Sequence, residues 1–159
     1  MKIKTSIIFI VMLAMFFNIH EILADNNGVN VKDDGQFLEF INPWMKPPIA
    51  PNKNSAMYVT IKNHSNNNYS LVNAHAASIA NNVELHQSFI DENGIGRMIS
   101  INKIVIPAHS EIVLKPGGIH IMLFDINRHI TLGEEIPIVL VFESIGQITV
   151  NAIAAYAAP

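Results

Sequence analysis

Four residues in this sequence, His86, Met98, His120 and Met122, have the side-chain types and spacing to hold a soft metal ion. In an extended strand, successive side chains point to opposite faces. Over 119–124 that rule puts Ile119, Ile121 and Leu123 on an apolar face and His120, Met122 and Phe124 on the other. His120 and Met122 then point the same way, with Cα atoms about 6.6 Å apart at the usual strand rise. The same alternation sets Val83, Leu85 and Phe89 against Glu84, His86 and Ser88, and Ile99 and Ile101 against Met98, Ser100 and Asn102. A single strand methionine is usually a core gap-filler, but three strands here carry His or Met away from their apolar stripe. Thioether sulfur is a soft, neutral donor that suits Cu(I) and offers little to Zn(II), Mg(II) or Ca(II). Imidazole adds affinity without adding charge. Neutral donors around a monovalent ion leave the site at a single positive charge, which permits both capture and release.

The rest of the composition narrows the function. Cysteine is absent, which excludes disulfides, thiolate metal sites, thiol redox chemistry and a cysteine nucleophile. Blue-copper electron transfer needs a Cys ligand. The three-His and His/carboxylate sets that activate water on a metal are missing from the constellation, so the chain is not expected to be an enzyme. A net charge of −3 and the lack of a basic stripe argue against nucleic acid and against an anionic membrane surface as partners. His109 and His129 have no partner at a useful spacing, His64 and His75 sit in or near turns, and all four read as surface residues. Met57 sits on an apolar face and reads as core; Met45 is a candidate nearby sulfur.

The elements that must position these residues follow from the punctuation of the chain. Lys2 and Lys4 precede an unbroken apolar run from Ile7 to Phe17, followed by Asn18 and His20 and then by Ile22-Leu23-Ala24. This is the layout of a secretory signal peptide cleaved after Ala24, and the run is shorter than the roughly 20 residues that span a bilayer. Residues 1–24 are therefore expected as a signal peptide, 25–36 as a flexible polar leader, and 37–159 as one domain without stable membrane insertion. Pro43, Pro47, Pro48 and Pro51 predict irregular structure after Ile41. From Ala56 onward the apolar period is two. Strand-like runs at 69–76, 83–90, 97–106, 111–115, 119–124, 136–143 and 147–156 alternate with Gly, Pro, Asn and Asp. Short strands at that spacing predict an all-β sandwich or barrel. Gly117-Gly118 would turn the backbone sharply into the strand that carries His120 and Met122.

The ligand set and its surroundings resemble the periplasmic copper chaperone family known as PCu(A)C. That family carries a His, a Met twelve positions later, and a His-x-Met starting twenty-two positions after that Met, as His86, Met98, His120 and Met122 do here. The resemblance extends to Trp44 before a Pro-rich loop, Ala56-Met57-Tyr58-Val59-Thr60-Ile61, Val83-Glu84-Leu85-His86, Pro116-Gly117-Gly118, Leu132-Gly133 and Phe142-Glu143-Ser144-Ile145-Gly146. Gln87 stands where members often carry a Met directly after the first His. The resemblance implies a cupredoxin-like β-sandwich binding one Cu(I) at an exposed site. It also implies delivery of that copper to the copper-bearing subunit of cytochrome c oxidase, directly or through a Sco-type thiol protein. The chain is expected in the periplasm, as a monomer.

The competing reading is an exported β-sandwich binding or adhesion module that holds no metal. The export expectation itself is checked by mass spectrometry of the protein from its native envelope. The mature chain should start at Asp25, and a species retaining Lys2 and Lys4 would overturn it.

Overall fold

The computed structural model describes residues 28–33 and 36–159, with side chains from Leu38 onward. The expected signal peptide lies outside the described residues. Every regular element among them is a strand: β1 (Gly28–Asp33), β2 (Gln36–Lys46), β3 (Ser55–Asn63), β4 (Tyr69–His75), β5 (Asn82–Ile90), β6 (Gly96–Ser100), β7 (Ile104–Ile106), β8 (Glu111–Leu114), β9 (Ile119–Phe124), β10 (Glu135–Phe142) and β11 (Gly146–Ala154). Hydrogen bonding links them in the order β6-β5-β9-β3-β2-β11-β10-β4-β7, with β1 added to β2 and β8 to β3. The strands at the two ends of this order, β6 and β7, are joined by only residues 101–103. Three residues cannot span a flat nine-strand sheet, so the sheet folds back on itself into two layers.

One layer is β6-β5-β9-β3-β2 and the other is β11-β10-β4-β7. They share a hinge where β2 meets β11 in parallel, Ile153 opposite Trp44 and Ala154 opposite Met45. Their inward faces make one core. Phe40, Met45, Met57, Ile61, Ile121 and Leu123 from the first layer are fully buried, as are Leu71, Ile106, Ile138, Leu140 and Val150 from the second. Phe40 and Phe142 meet edge-on across the layers with ring centroids 6.3 Å apart, a favoured aromatic geometry. Strands such as β10 and β11 thus bury one face each, as the period of two requires.

Three local expectations are corrected. Residues 25–36, expected as a flexible leader, include β1, which pairs antiparallel with β2 from Gly28 opposite Ile41 to Asp33 opposite Gln36. The signal was present in the sequence: Val29 and Val31 alternate with polar residues, and Asp34-Gly35 is a strong hairpin dipeptide. Pro43 does not end the strand it interrupts. β2 continues to Lys46 because the pairing with β3 shifts between Ile41 and Trp44, so the missing N–H of Pro43 falls where no ladder bond is required. Asn42 takes φ +47° at this bulge. Finally, 97–106 is two strands. β6 pairs with β5 in one layer and β7 pairs with β4 in the other. Both faces of β6 are solvent-exposed, Ile99 included, because β6 is the outermost strand of its layer.

Asn63, at the end of β3, ties this end of the sandwich together. Its buried side-chain amide donates to the carbonyl oxygens of Asn67, Ile106 and Pro107 at 2.7, 3.2 and 3.0 Å. Its oxygen accepts from the Ser65 amide and hydroxyl. Asn63→Ala strips donors from carbonyls that water reaches poorly, and should cost about 2–3 kcal/mol in urea unfolding. Metal binding at the opposite layer edge should be unchanged. A loss within experimental error of zero would show that water replaces the amide.

Candidate metal centre

Strands β5 and β9 pair antiparallel with His86 directly opposite His120. The register is held from beneath: Leu85, Ile121 and Leu123 point into the core at 3% exposure or less. A shift of one residue would bury both imidazoles and expose those three apolar side chains, so the pairing is strongly specified. On the outer face the two rings lie edge-to-face with centroids 5.9 Å apart. Met122 stands one residue pair along, opposite Glu84, which makes it the diagonal neighbour of His86. Met98 is on β6, opposite Ser88, while Ser100 faces His86. Met98 therefore sits at the corner away from Met122, on the outermost strand, and is 50% exposed.

The histidines are less exposed than expected. His86 and His120 are 9% and 4% accessible, because aromatic rings close the face around them. Trp44 packs on Tyr58 with centroids 4.5 Å apart, Tyr58 lies 6.2 Å from His120, and Phe124 lies 5.8 Å from His86. Burial raises the Tyr58 hydroxyl above its ordinary range, so it stays neutral. The β8–β9 turn fixes the other side. Gly117 takes φ +74°, a conformation that side-chain-bearing residues rarely adopt. The Gly118 carbonyl then accepts from the Ser88 amide at 3.0 Å and from His120 Nδ1 at 3.0 Å.

These contacts assign protons. A carbonyl only accepts, so His120 carries its proton on Nδ1 and presents the lone pair of Nε2. His86 Nε2 lies 2.9 Å from Glu84 Oε2; a carboxylate only accepts, so Nε2–H donates, and in the neutral ring Nδ1 is bare. That Nδ1 is buried and has no hydrogen-bond partner. An orphaned imidazole nitrogen beside a second imidazole and a thioether is a donor set that fits a soft ion. The hydrogen bond from His86, followed by one from Asn82, holds the Glu84 carboxyl below its usual range. Among the described residues no group of three His, Cys, Asp or Glu side chains comes together as a metal cage.

The structure thus brings His86, His120 and Met122 together on two adjacent strands and leaves Met98 at the rim. Met57 is core, as read from the sequence, and Met45 is fully buried too, so it is no additional sulfur at the site. His109, His129 and His75 are exposed, and His64 contacts Glu39 at 2.8 Å on the surface. The sequence reading placed Glu84 on the His86 face without giving it a role. The Glu-x-His spacing on a strand was the available signal, since residues i and i+2 share a face.

The fold is that of a cupredoxin-like β-sandwich. It is similar to the apo PCuAC domain from PmoF1 (TM-score 0.66, 23% identity, 82% of this chain and 99% of that chain). It is also similar to the copper-bound PCuAC domain from PmoF2 (0.64, 22%, 82% and 98%). A third similar structure is the solution structure of CuI-DR1885 from Deinococcus radiodurans (0.58, 23%, 71% and 74%). An uncharacterized protein, RP573, of Rickettsia prowazekii (strain Madrid E) is 33% identical over 133 residues, covering 81% of this chain and 72% of its own length. The family model for LpqE-like lipoproteins matches residues 38–154. The chain belongs to this LpqE-like family, and its fold is that of the PCuAC domains.

Burial lowers the pKa of His120 from 6.5; the Gly118 hydrogen bond opposes the shift and the neighbouring His86 adds to it. An imidazole with a lowered folded-state pKa takes its proton first in the unfolded chain as pH falls. Stability present at neutral pH is then lost progressively below about 6.5. NMR titration of the His120 ring in the metal-free protein should give a midpoint under 6.5, and urea unfolding should weaken from pH 7 toward about 5. A midpoint at or above the ordinary value would contradict the burial argument.

Proposed function

We propose that this protein is an exported copper chaperone that binds one Cu(I) through His86, His120, Met122 and Met98. The observation that carries the reading is the pair of facing imidazoles, with Met122 at the diagonal position on the same face and one ring nitrogen, His86 Nδ1, buried and unpartnered. The fold it shares with a copper-bound PCuAC domain and with a Cu(I)-loaded protein supports the same reading. All four donors are neutral, so the loaded site keeps the single charge of its ion. No thiolate is present, and a thiol acceptor therefore outcompetes it. The acceptor we propose is the copper-bearing subunit of cytochrome c oxidase, reached directly or through a Sco-type thiol protein in the periplasm. The chain would work as a monomer and as a carrier, with no reaction catalysed. The lipid attachment that the family's description suggests needs a cysteine, and the sequence holds none.

The geometry suggests how the ion is released. Three donors sit on the β5–β9 pair, whose inner face is locked in the core. The fourth, Met98, is half exposed on an edge strand. An incoming thiolate can displace Met98 without disturbing the imidazole pair, and a three-donor intermediate then passes the ion on.

Anaerobic reconstitution should load one Cu(I) per chain, with Zn(II) competing poorly. Met122→Leu, which keeps volume and apolarity, should weaken Cu(I) by about tenfold or more, that is by about 1.4 kcal/mol or more. Met98→Leu should weaken it less and slow transfer to a dithiol acceptor. Because each imidazole must be neutral to bind, affinity should fall as pH drops below neutrality. Unchanged affinity in the double Met→Leu variant would remove the methionines from the site. A chain that takes up no copper would return it to the class of metal-free binding modules.

A further inference from the structure

We infer that Glu84 is the positioning residue that decides which nitrogen of His86 meets the metal, making the site an asymmetric Nδ1/Nε2 pair. The inference rests on the copper reading above and goes beyond it, since identical residue types at the two positions are given opposite ring orientations by different partners. At His120 the partner is the Gly118 carbonyl, which takes the Nδ1 proton at 3.0 Å. At His86 it is the Glu84 carboxylate, which takes the Nε2 proton at 2.9 Å. Neutral imidazole has one proton to place, and its metal-binding nitrogen is set by the hydrogen bond made at the other.

Glu84 is itself held. Its Oε1 accepts from the Asn82 side-chain amide at 2.9 Å, which leaves Oε2 for His86. Asn82, Glu84 and His86 are alternate residues of β5, so all three project from the same face. Strand geometry alone brings the relay together. The His86 side chain is 11% accessible and that of Glu84 38%. The ring is thus enclosed while the carboxylate keeps one side toward solvent and needs no buried counter-charge. Without Glu84, the enclosed ring loses the charged acceptor of its Nε2 proton and keeps the Ser100 side chain, opposite His86 on β6, as a polar neighbour there. The bare Nδ1, orphaned in the structure, could then take the proton and leave no lone pair on the buried side. The carboxylate also sets a negative charge one bond network away from a monovalent ion, stabilising the loaded state without becoming a ligand.

The test reads the rings directly. Long-range proton–nitrogen correlation spectra of the full-length ¹⁵N-labelled protein, metal-free and near neutral pH, should show His86 protonated at Nε2 and His120 at Nδ1. Silver(I) is a spin-½ stand-in for Cu(I). On its addition, silver–nitrogen coupling should appear at His86 Nδ1 and His120 Nε2. Glu84→Ala should mix the His86 tautomers and lower Cu(I) affinity by about 10- to 100-fold, with the His120 pattern unchanged. Glu84→Gln, whose amide oxygen still accepts from Nε2–H, should keep the His86 pattern and most of the affinity. A purely structural role would lower the melting temperature without altering the His86 pattern, and that result would overturn the assignment. So would His86 protonated at Nδ1 in the metal-free protein, or silver coupling at its Nε2. If neither silver nor copper binds, the copper reading fails, and the metal-free spectra still decide the role of Glu84.

Discussion

The register between β5 and β9 is the constraint on which the rest of the site depends. His86 faces His120 because Leu85, Ile121 and Leu123 must point the other way, into a core made by both layers. The hydrophobic term that fixes those side chains is worth about 1.5–3 kcal/mol for each one buried. Slipping the pair by one residue would forfeit several such terms and bury two imidazoles without partners. The donors are thus positioned by apolar residues that never touch the metal, and the rigidity of the site is borrowed from the core.

A second constraint acts from the other side. On the outer face of β9, His120 is buried and Met122 and Phe124 are half-buried, so none of the three is fully open to solvent. Trp44 and Tyr58 reach across from β2 and β3, and Phe124 closes over His86. That cover lowers the local dielectric, which strengthens each hydrogen bond that orients a ring and makes any unpartnered nitrogen costly. His120 is satisfied at Nδ1 by a carbonyl that also binds the Ser88 amide. His86 is satisfied at only one nitrogen. An incompletely paired network of this sort is a source of affinity for whatever ion completes it.

The edge position of β6 has the opposite character. Its residues are exposed on both faces and it has a partner on one side only. Few apolar contacts hold it, which is the pattern of a segment with low local stability. A carrier needs both properties in one site: a rigid pair of imidazoles to receive the ion and a loosely held donor through which to surrender it. The chain places them on neighbouring strands.

The sequence alone determined the all-β class, the family resemblance, the four candidate donors and the facing of β9 and of most of β5, though not of β6, whose Ile99 is exposed. Those properties depend on residue type and on a period of two, which are local. His120 and Met122 could be placed on one face, and Met57 in the core, without any tertiary information. Tertiary structure decided the rest. That 97–106 would break and cross between layers followed from closing the sheet, a demand no local pattern expresses. That β2 would run through Pro43 depended on a bulge in its pairing with β3. The enclosure of His120 came from rings on β2 and β3 and that of His86 from Phe124 on β9, each distant in sequence from the ring it covers. The tautomers of His86 and His120 were set by Glu84 and by a backbone carbonyl, and their opposite orientation is a property of contacts, which only the assembled sheet contains.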